Sequence, residues 1–219
     1  MLLDRILFLD SEAIVVDKPA GLPVDAPRDG SLSVENHLQS LMLGFQVWPK
    51  PVHRLDRDTS GCLVLARSDK AHKRLALAFE QGQVGKTYHA VLAGIPEASE
   101  GTVELSLGKT STKEAGWRII PAKKGKAAIT HWRIVEVQGG LALVEFSPET
   151  GRTHQLRVHA ASGIGIPILG DPVYGKADAR GMMLHASSIS IARKTKEPVA
   201  AAAPLPERMT ALGFSQLGG

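Results

Sequence analysis

Residues 126–148, KAAITHWRIVEVQGGLALVEFSP, set two runs of alternating apolar character on either side of Gly139-Gly140. A period of two predicts strands, and a Gly-Gly pair supplies the positive φ that a tight hairpin turn needs. Doubly wound parallel sheets join their strands through helices, so a long hairpin argues against that architecture. The rest of the chain behaves alike. EAIVVDKPAGLPV reads as a strand over Ala13 to Val16, broken by Pro19, Gly21 and Pro23. GCLVLARS reads as a short buried strand, and KTYHAVLAG as another. Helical spacing is interspersed among them. Val34, Leu38, Leu41 and Met42 share a helical face ahead of Gly44. Ala71, Leu75, Ala78 and Phe79 do the same, behind an N-cap at Ser68 and ahead of Gly82. TGRTHQLRVHAASG predicts a turn into a short helix, capped by Thr153 and stopped at Gly163. The Ala/Pro-rich EPVAAAAPLPERM predicts an extended surface tail. The expected fold is α+β, with a mixed, largely antiparallel central sheet and flanking helices.

At 43% apolar residues the chain can build a core, and with aromatics at only 5% that core must be mostly aliphatic. The single cysteine, Cys62, has no internal disulfide partner, which fits a reducing cytoplasm. The apolar opening carries Asp4, Arg5, Asp10 and Glu12, unlike a secretory signal, and no stretch reaches the roughly 20 apolar residues of a membrane span. A net charge of +4 weakly favours a polyanionic partner.

Four places could carry chemistry. In HRLDRDTSG, Asp56 and Asp58 interleave with Arg54 and Arg57 just before the buried strand. A guanidinium orients a working carboxylate and stabilises its charge, but Asp, Thr and Ser also hold ordinary turns together. Arg152 and Arg157 flank the expected helix start in TGRTHQLRVH, where backbone N–H groups attract anions and an arginine could form a bidentate carboxylate pair. Tyr88 shares a strand face with Ala90 and Leu92, as a core tyrosine or as one reaching a cleft. Finally, Lys109, Lys113, Arg118, Lys123, Lys124 and Lys126 face one acid, Glu114, around Trp117. This is either an RNA-binding segment with a stacking indole or a solvated hairpin. His154 and His159 are badly spaced for metal, and neither a P-loop nor a GxSxG elbow is present.

At these residues the sequence resembles the RluA-type pseudouridine synthase family. VVDKPAGLPV (15–24), HRLDRDTSG (53–61), KTYHAVLAG (86–94), GKAAITHW (125–132) and TGRTHQLRVH (150–159), the last with GDPVYG and LHA, match its motifs in order. The resemblance implies the pseudouridine synthase fold with a catalytic cleft, in a single catalytic domain over residues 1–219. It implies an isomerase that detaches uracil from C1′ of a uridine in RNA, rotates it and rejoins it through C5, with no cofactor and no metal. Asp56 is then the essential aspartate, Arg157 the basic residue that pairs with it, and Tyr88 the tyrosine that stacks on the target base. Arg54 helps flip that base. Apart from the resemblance, Lys86, Lys123, Lys124, Lys126 and Arg152 are the cations expected to bind RNA. Arg57 and Asp58 fall on variable positions.

The first motif begins near residue 13, so no N-terminal S4-type RNA-binding domain is expected. RNA selection then falls to the catalytic domain. The implied partner is a ribosomal RNA helix or a tRNA stem-loop, met by a cytoplasmic monomer away from any membrane. Two other classes compete. A catalytically idle RNA-binding module is disfavoured by the intact Asp56, Tyr88 and Arg157 set. A nucleoside hydrolase would release free uracil and needs a second acid that the sequence does not offer.

Overall fold

The computed structural model describes residues 2–112 and 116–216. Lys113 and Glu114 of the basic segment lie outside that range. In chain order the strands are β1 (Ile6–Leu9), β2 (Ala13–Lys18), β3 (Lys50–Pro51), β4 (Ser60–Ala66), β5 (Val84–Leu92), β6 (Glu100–Thr112), β7 (Gly116–Pro121), β8 (Lys126–Gln138), β9 (Leu141–Pro148), β10 (Leu184–Ile191) and β11 (Val199–Ala202). The α-helices are α1 (Asp69–Glu80), α2 (Gln155–Val158) and α3 (Glu207–Thr210). β4 pairs parallel with β10, while β1–β2, β2–β4, β3–β4, β5–β9, β6–β7, β6–β8, β8–β9 and β10–β11 pair antiparallel, so the fold is α+β with mixed, largely antiparallel pairing, as expected. No helix among the described residues is long and apolar enough to cross a membrane.

The chain divides into two compact units. The first runs to Lys86 and takes up His185–Pro204. Every residue of β4 is buried, because SGCLVLA is pressed between β2 on one side and β3 and β10 on the other. Gly61 is required there. Its φ is +107°, and a Cβ would sit 2.2 Å from the Ala186 carbonyl oxygen of β10. Next to it, Cys62 is 1% exposed, and burial, with Asp17 adding to it, pushes its thiol up to about 12. Helix α1 starts as predicted, with the Ser68 hydroxyl accepting the Ala71 N–H at 3.2 Å. Its Ala71 and Leu75 join Val15, Val64 and Ile189 in one core.

The second unit runs from Thr87 to Leu184 and takes up the segment from Leu205. Its strands lie in the order β5-β9-β8-β6-β7 over a core that includes Leu92, Leu143, Phe146, Ile168 and Met209. Gly139 and Gly140 take φ of +57° and +77°, the pair of left-handed residues that a two-residue hairpin turn demands.

Three expectations are corrected. The stretch around 31–43 forms two 3₁₀ turns, Val34–His37 and Gln39–Leu41, where an α-helix was expected. The Arg67 guanidinium takes the Met42 and Leu43 carbonyls at 3.1 Å each and Leu43 turns left-handed, which ends the stretch ahead of Gly44. The C-terminal tail is no surface strap. Val199–Ala202 pairs with β10 as β11, and Val199, Leu205 and Met209 are buried. In the TGRTHQLRVH segment the cap position belongs to His154, at φ +53°, with no Thr153 cap, and α2 passes into a π-helical turn at His159–Ile164 that stops at Gly165. Gly163 sits inside that turn for space, because a Cβ there would meet Val103 at 2.3 Å.

That turn buries His159 completely, and among the described residues neither of its ring nitrogens has a hydrogen-bond partner. Burial depresses its pKa to about 4. Between pH about 6.5 and 4 the unfolded chain takes up a proton that the folded chain refuses, so stability falls as pH falls across that window, by about 3 kcal/mol in all. His159→Leu is expected to remove up to one proton from the slope of unfolding free energy against pH between 4 and 6.5, measured by urea titration. An unchanged slope would mean that His159 titrates as if in water.

Candidate active site

In the first unit the HRLDRDTSG segment is tied down at alternate points. The His53 ring stacks on Phe79 with centroids 4.4 Å apart, and its Nε2 accepts the Val64 N–H at 3.0 Å. Burial, helped by the Lys86 charge, depresses its pKa to about 3, so this histidine stays neutral and serves as an acceptor. Leu55 is buried in the core, and the Thr59 N–H closes a turn onto the Asp56 carbonyl at 3.1 Å. Ser60 Oγ lies 2.8 Å from His185 Nδ1 in the β4–β10 pair. The other nitrogen of His185 faces the Ala203 carbonyl, which can only accept, so Ser60 is the donor.

Lys18 completes the frame. Its ammonium is fully buried and donates to the carbonyls of Pro19, Leu22 and Arg57 at 2.9, 2.8 and 3.1 Å. The Gly21 N–H also reaches the Arg57 carbonyl, at 2.9 Å. The DKPAGL loop is thereby strapped to the turn that carries Asp56. Sequence reasoning takes Lys18 only as part of a matching motif. The cue was a lysine at the end of a buried strand, ahead of a Pro/Gly loop rich in unpaired carbonyls.

The two aspartates of this turn differ in surroundings. Asp58 stands 3.5 Å from the exposed guanidinium of Arg57. Asp56 is half-buried directly after the buried Leu55. Arg54 is exposed and pairs with Asp25 at 3.0 Å.

In the second unit Tyr88 is half-buried on β5, opposite Phe146 of β9, and packs against the core. Lys86, the last residue of the first unit, is half-buried, and burial lowers its pKa. Arg157 is buried on α2. Its Nε and Nη2 clasp Asp171 at 2.7 and 2.8 Å, and its guanidinium carbon lies 5.2 Å from the Tyr174 ring. Burial alone would raise the Asp171 pKa. The bonds and charge of Arg157, with the Val173 and Tyr174 N–H groups, outweigh it and hold Asp171 below the usual carboxylate range. Asp171, in GDPVYG, has no role in the sequence reading, although a buried arginine always demands an acceptor.

Gln155 fixes the start of α2. Its amide oxygen accepts the Arg152 N–H and the Thr150 hydroxyl, while its nitrogen donates to Ile129 and Thr130 of β8. Arg152 then lays its Nε on the Ala127 carbonyl at 3.1 Å, next to exposed Lys126 and the turn that carries Lys123 and Lys124. These four cations therefore share one neighbourhood. Among the described residues no group of three or more His, Cys, Asp or Glu side chains is placed to hold a metal ion.

Comparison with known proteins identifies the family. A family profile described as RNA pseudouridylate synthase matches residues 12–162. A Zymomonas mobilis protein named as an uncharacterized RNA pseudouridine synthase is 58% identical over 98% of this chain and 99% of its own length. The ribosomal large subunit pseudouridine synthase D of the same organism is 38% identical over 79% of this chain, which spans only 56% of that relative. Among solved structures, human RNA pseudouridylate synthase domain containing 4 superposes with a TM-score of 0.81 at 25% identity, covering 99% of this chain and 96% of that one. Human RNA pseudouridylate synthase domain containing 1 gives 0.75 at 28% identity, covering 91% and 82%. The chain belongs to the RNA pseudouridylate synthase family, a family of isomerases.

Proposed function

We propose that this protein converts specific uridines of structured RNA to pseudouridine, with Asp56 as the acting carboxylate. The observation that carries the reading is the anchoring of the Asp56 turn. Lys18, Thr59 and the Ser60–His185 bond hold the backbone from both sides, the rigidity a reacting group needs. In the reaction the C1′–N1 bond breaks, uracil rotates and C1′–C5 forms. C5 gives up its proton, and N1 gains one. A carboxylate stabilises positive charge developing at C1′. Attack at C1′, attack at C6 and a glycal route all use this same group. The family resemblance gives Arg157 the pairing with this carboxylate, besides the clasp of its fork on Asp171. Tyr88 stacks on the target base, and Arg54 helps extrude it from its helix, a step that costs a few kcal/mol.

The same reading has the protein working as a cytoplasmic monomer. Its substrate is a ribosomal RNA helix or a tRNA stem-loop, the former suggested by relatives named for the large ribosomal subunit. The test is to incubate purified protein with RNA from a strain lacking the gene and to map new pseudouridine. Release of free uracil would identify a hydrolase instead, and binding without either product an idle RNA-binding module.

Lys86, Lys123, Lys124, Lys126 and Arg152 supply cations for the phosphates. Replacing Lys123, Lys124 and Lys126 together by Ala is expected to weaken RNA binding and flatten its salt dependence. The log–log slope should fall by about 0.7 to 0.9 for each phosphate no longer neutralised. An unchanged slope in a filter-binding titration would mark the turn as merely solvated.

A further inference from the structure

We infer that Trp117 is a stacking platform for an unpaired base of the bound RNA, and that Tyr174 is the positioning residue through which this platform is joined to Arg157. This rests on the reading of the protein as an RNA-acting synthase, and it adds a base-stacking site and a coupling that the reading does not contain.

The observations form one connected series within the second unit. Trp117, on β7, is 42% exposed. The Lys109 ammonium of β6 lies 5.6 Å from its ring centre. A flat apolar ring left in water beside a cation suits a ligand with apolar faces and negative charge, as an unpaired nucleotide has. A duplex keeps its base faces covered, so the occupant is a single-stranded or extruded nucleotide. Lys123 and Lys124 follow in the turn after β7 and Lys126 opens β8, three exposed cations close by in the chain.

Trp117 also meets His154 edge to face, with centroids 5.1 Å apart at 80°. His154 holds the strained cap position of α2, and its Nδ1 lies 2.9 Å from the Tyr174 hydroxyl. That hydroxyl accepts the Ile119 N–H of β7 at 2.9 Å and shares its second hydrogen bond with His154. The ring of Tyr174 lies against Arg157, whose carboxylate partner is Asp171, three residues before Tyr174. Tyr174 therefore grips the Trp117 hairpin with its hydroxyl and the Arg157 guanidinium with its ring. Displacement of β7 by bound RNA is carried to the arginine by two hydrogen bonds and a packed ring.

The test uses the full chain and a substrate RNA identified by pseudouridine mapping. Affinity is read by titration, and the single-turnover rate at saturating RNA. Trp117→Ala should weaken affinity about 10-fold or more and slow the saturated rate, and Trp117→Phe should restore most of both. Tyr174→Phe keeps the ring and loses the hydroxyl. It should leave affinity within about two-fold while lowering the saturated rate about 10-fold. His154→Asn, which tolerates the left-handed backbone and is too short to keep the bond to Tyr174, should show the same split if Tyr174→Phe folds poorly. The Trp117→Ala/Tyr174→Phe double variant should be no slower at saturation than the slower single. Unchanged affinity in Trp117→Ala, including a case where only self-association changes, overturns the platform. An unchanged rate in Tyr174→Phe or His154→Asn, or rate losses that multiply in the double variant, overturns the coupling. If wild-type protein binds RNA yet makes no pseudouridine, the proposed function fails, and the affinity of Trp117→Ala still decides the platform.

Discussion

Asp56→Asn is expected to reduce single-turnover pseudouridine formation to background while RNA affinity and melting temperature stay close to wild type. The amide keeps the shape of the side chain and removes its charge and nucleophilicity. The backbone of the turn is closed by the Thr59 N–H on the Asp56 main-chain carbonyl and by Lys18 on the Arg57 carbonyl, bonds that the amide leaves in place. Asp58→Asn is the control. Asp58 pairs only loosely with exposed Arg57, an interaction worth about 1 kcal/mol or less, so most activity should remain. A dead Asp58→Asn beside an active Asp56→Asn would reverse the assignment.

Arg157 should give the second large effect, and Asp171 makes it readable. Arg157→Lys keeps the charge but loses the fork that clasps Asp171 through two nitrogens. Turnover should fall steeply with a milder loss of RNA affinity. Arg157→Ala leaves Asp171 buried without its counter-charge, at a cost of roughly 3–5 kcal/mol for a fully buried pair. Asp171→Asn removes the charge that the fork of Arg157 clasps, and should lower both stability and turnover. Urea unfolding beside single-turnover assays separates the two consequences. Near-normal turnover in folded Arg157→Lys would remove Arg157 from the catalytic set, whatever its structural worth.

How much of this is legible in the sequence depends on how local the cause is. β4, the Ser68 cap of α1 and the Gly139-Gly140 hairpin are all readable, because period, cap chemistry and positive φ act within a few residues. The end of the 31–43 stretch is not legible, because the guanidinium that takes its last carbonyls belongs to Arg67, far along the chain. The Ala/Pro tail conceals a strand, since alanines pair in a sheet without a strong apolar signal. At the site, the motifs pick out Asp56, Tyr88 and Arg157 as candidates. Asp171, Tyr174 and Lys18 pass without roles, because a partner for a buried charge is chosen by tertiary proximity and not by spacing.

The burial of Cys62 has a practical consequence. It is the only cysteine, it neighbours Gly61 in β4, and its thiol is held near 12 by its surroundings. In the folded state it should be almost inert to disulfide reagents, since the thiolate is the reactive form. The native chain thus offers a nearly silent background, against which a cysteine introduced at position 117 could be cross-linked to a thiolated nucleotide. Slow labelling of Cys62 itself would then report how often the first unit opens, a clock already present in the wild-type chain.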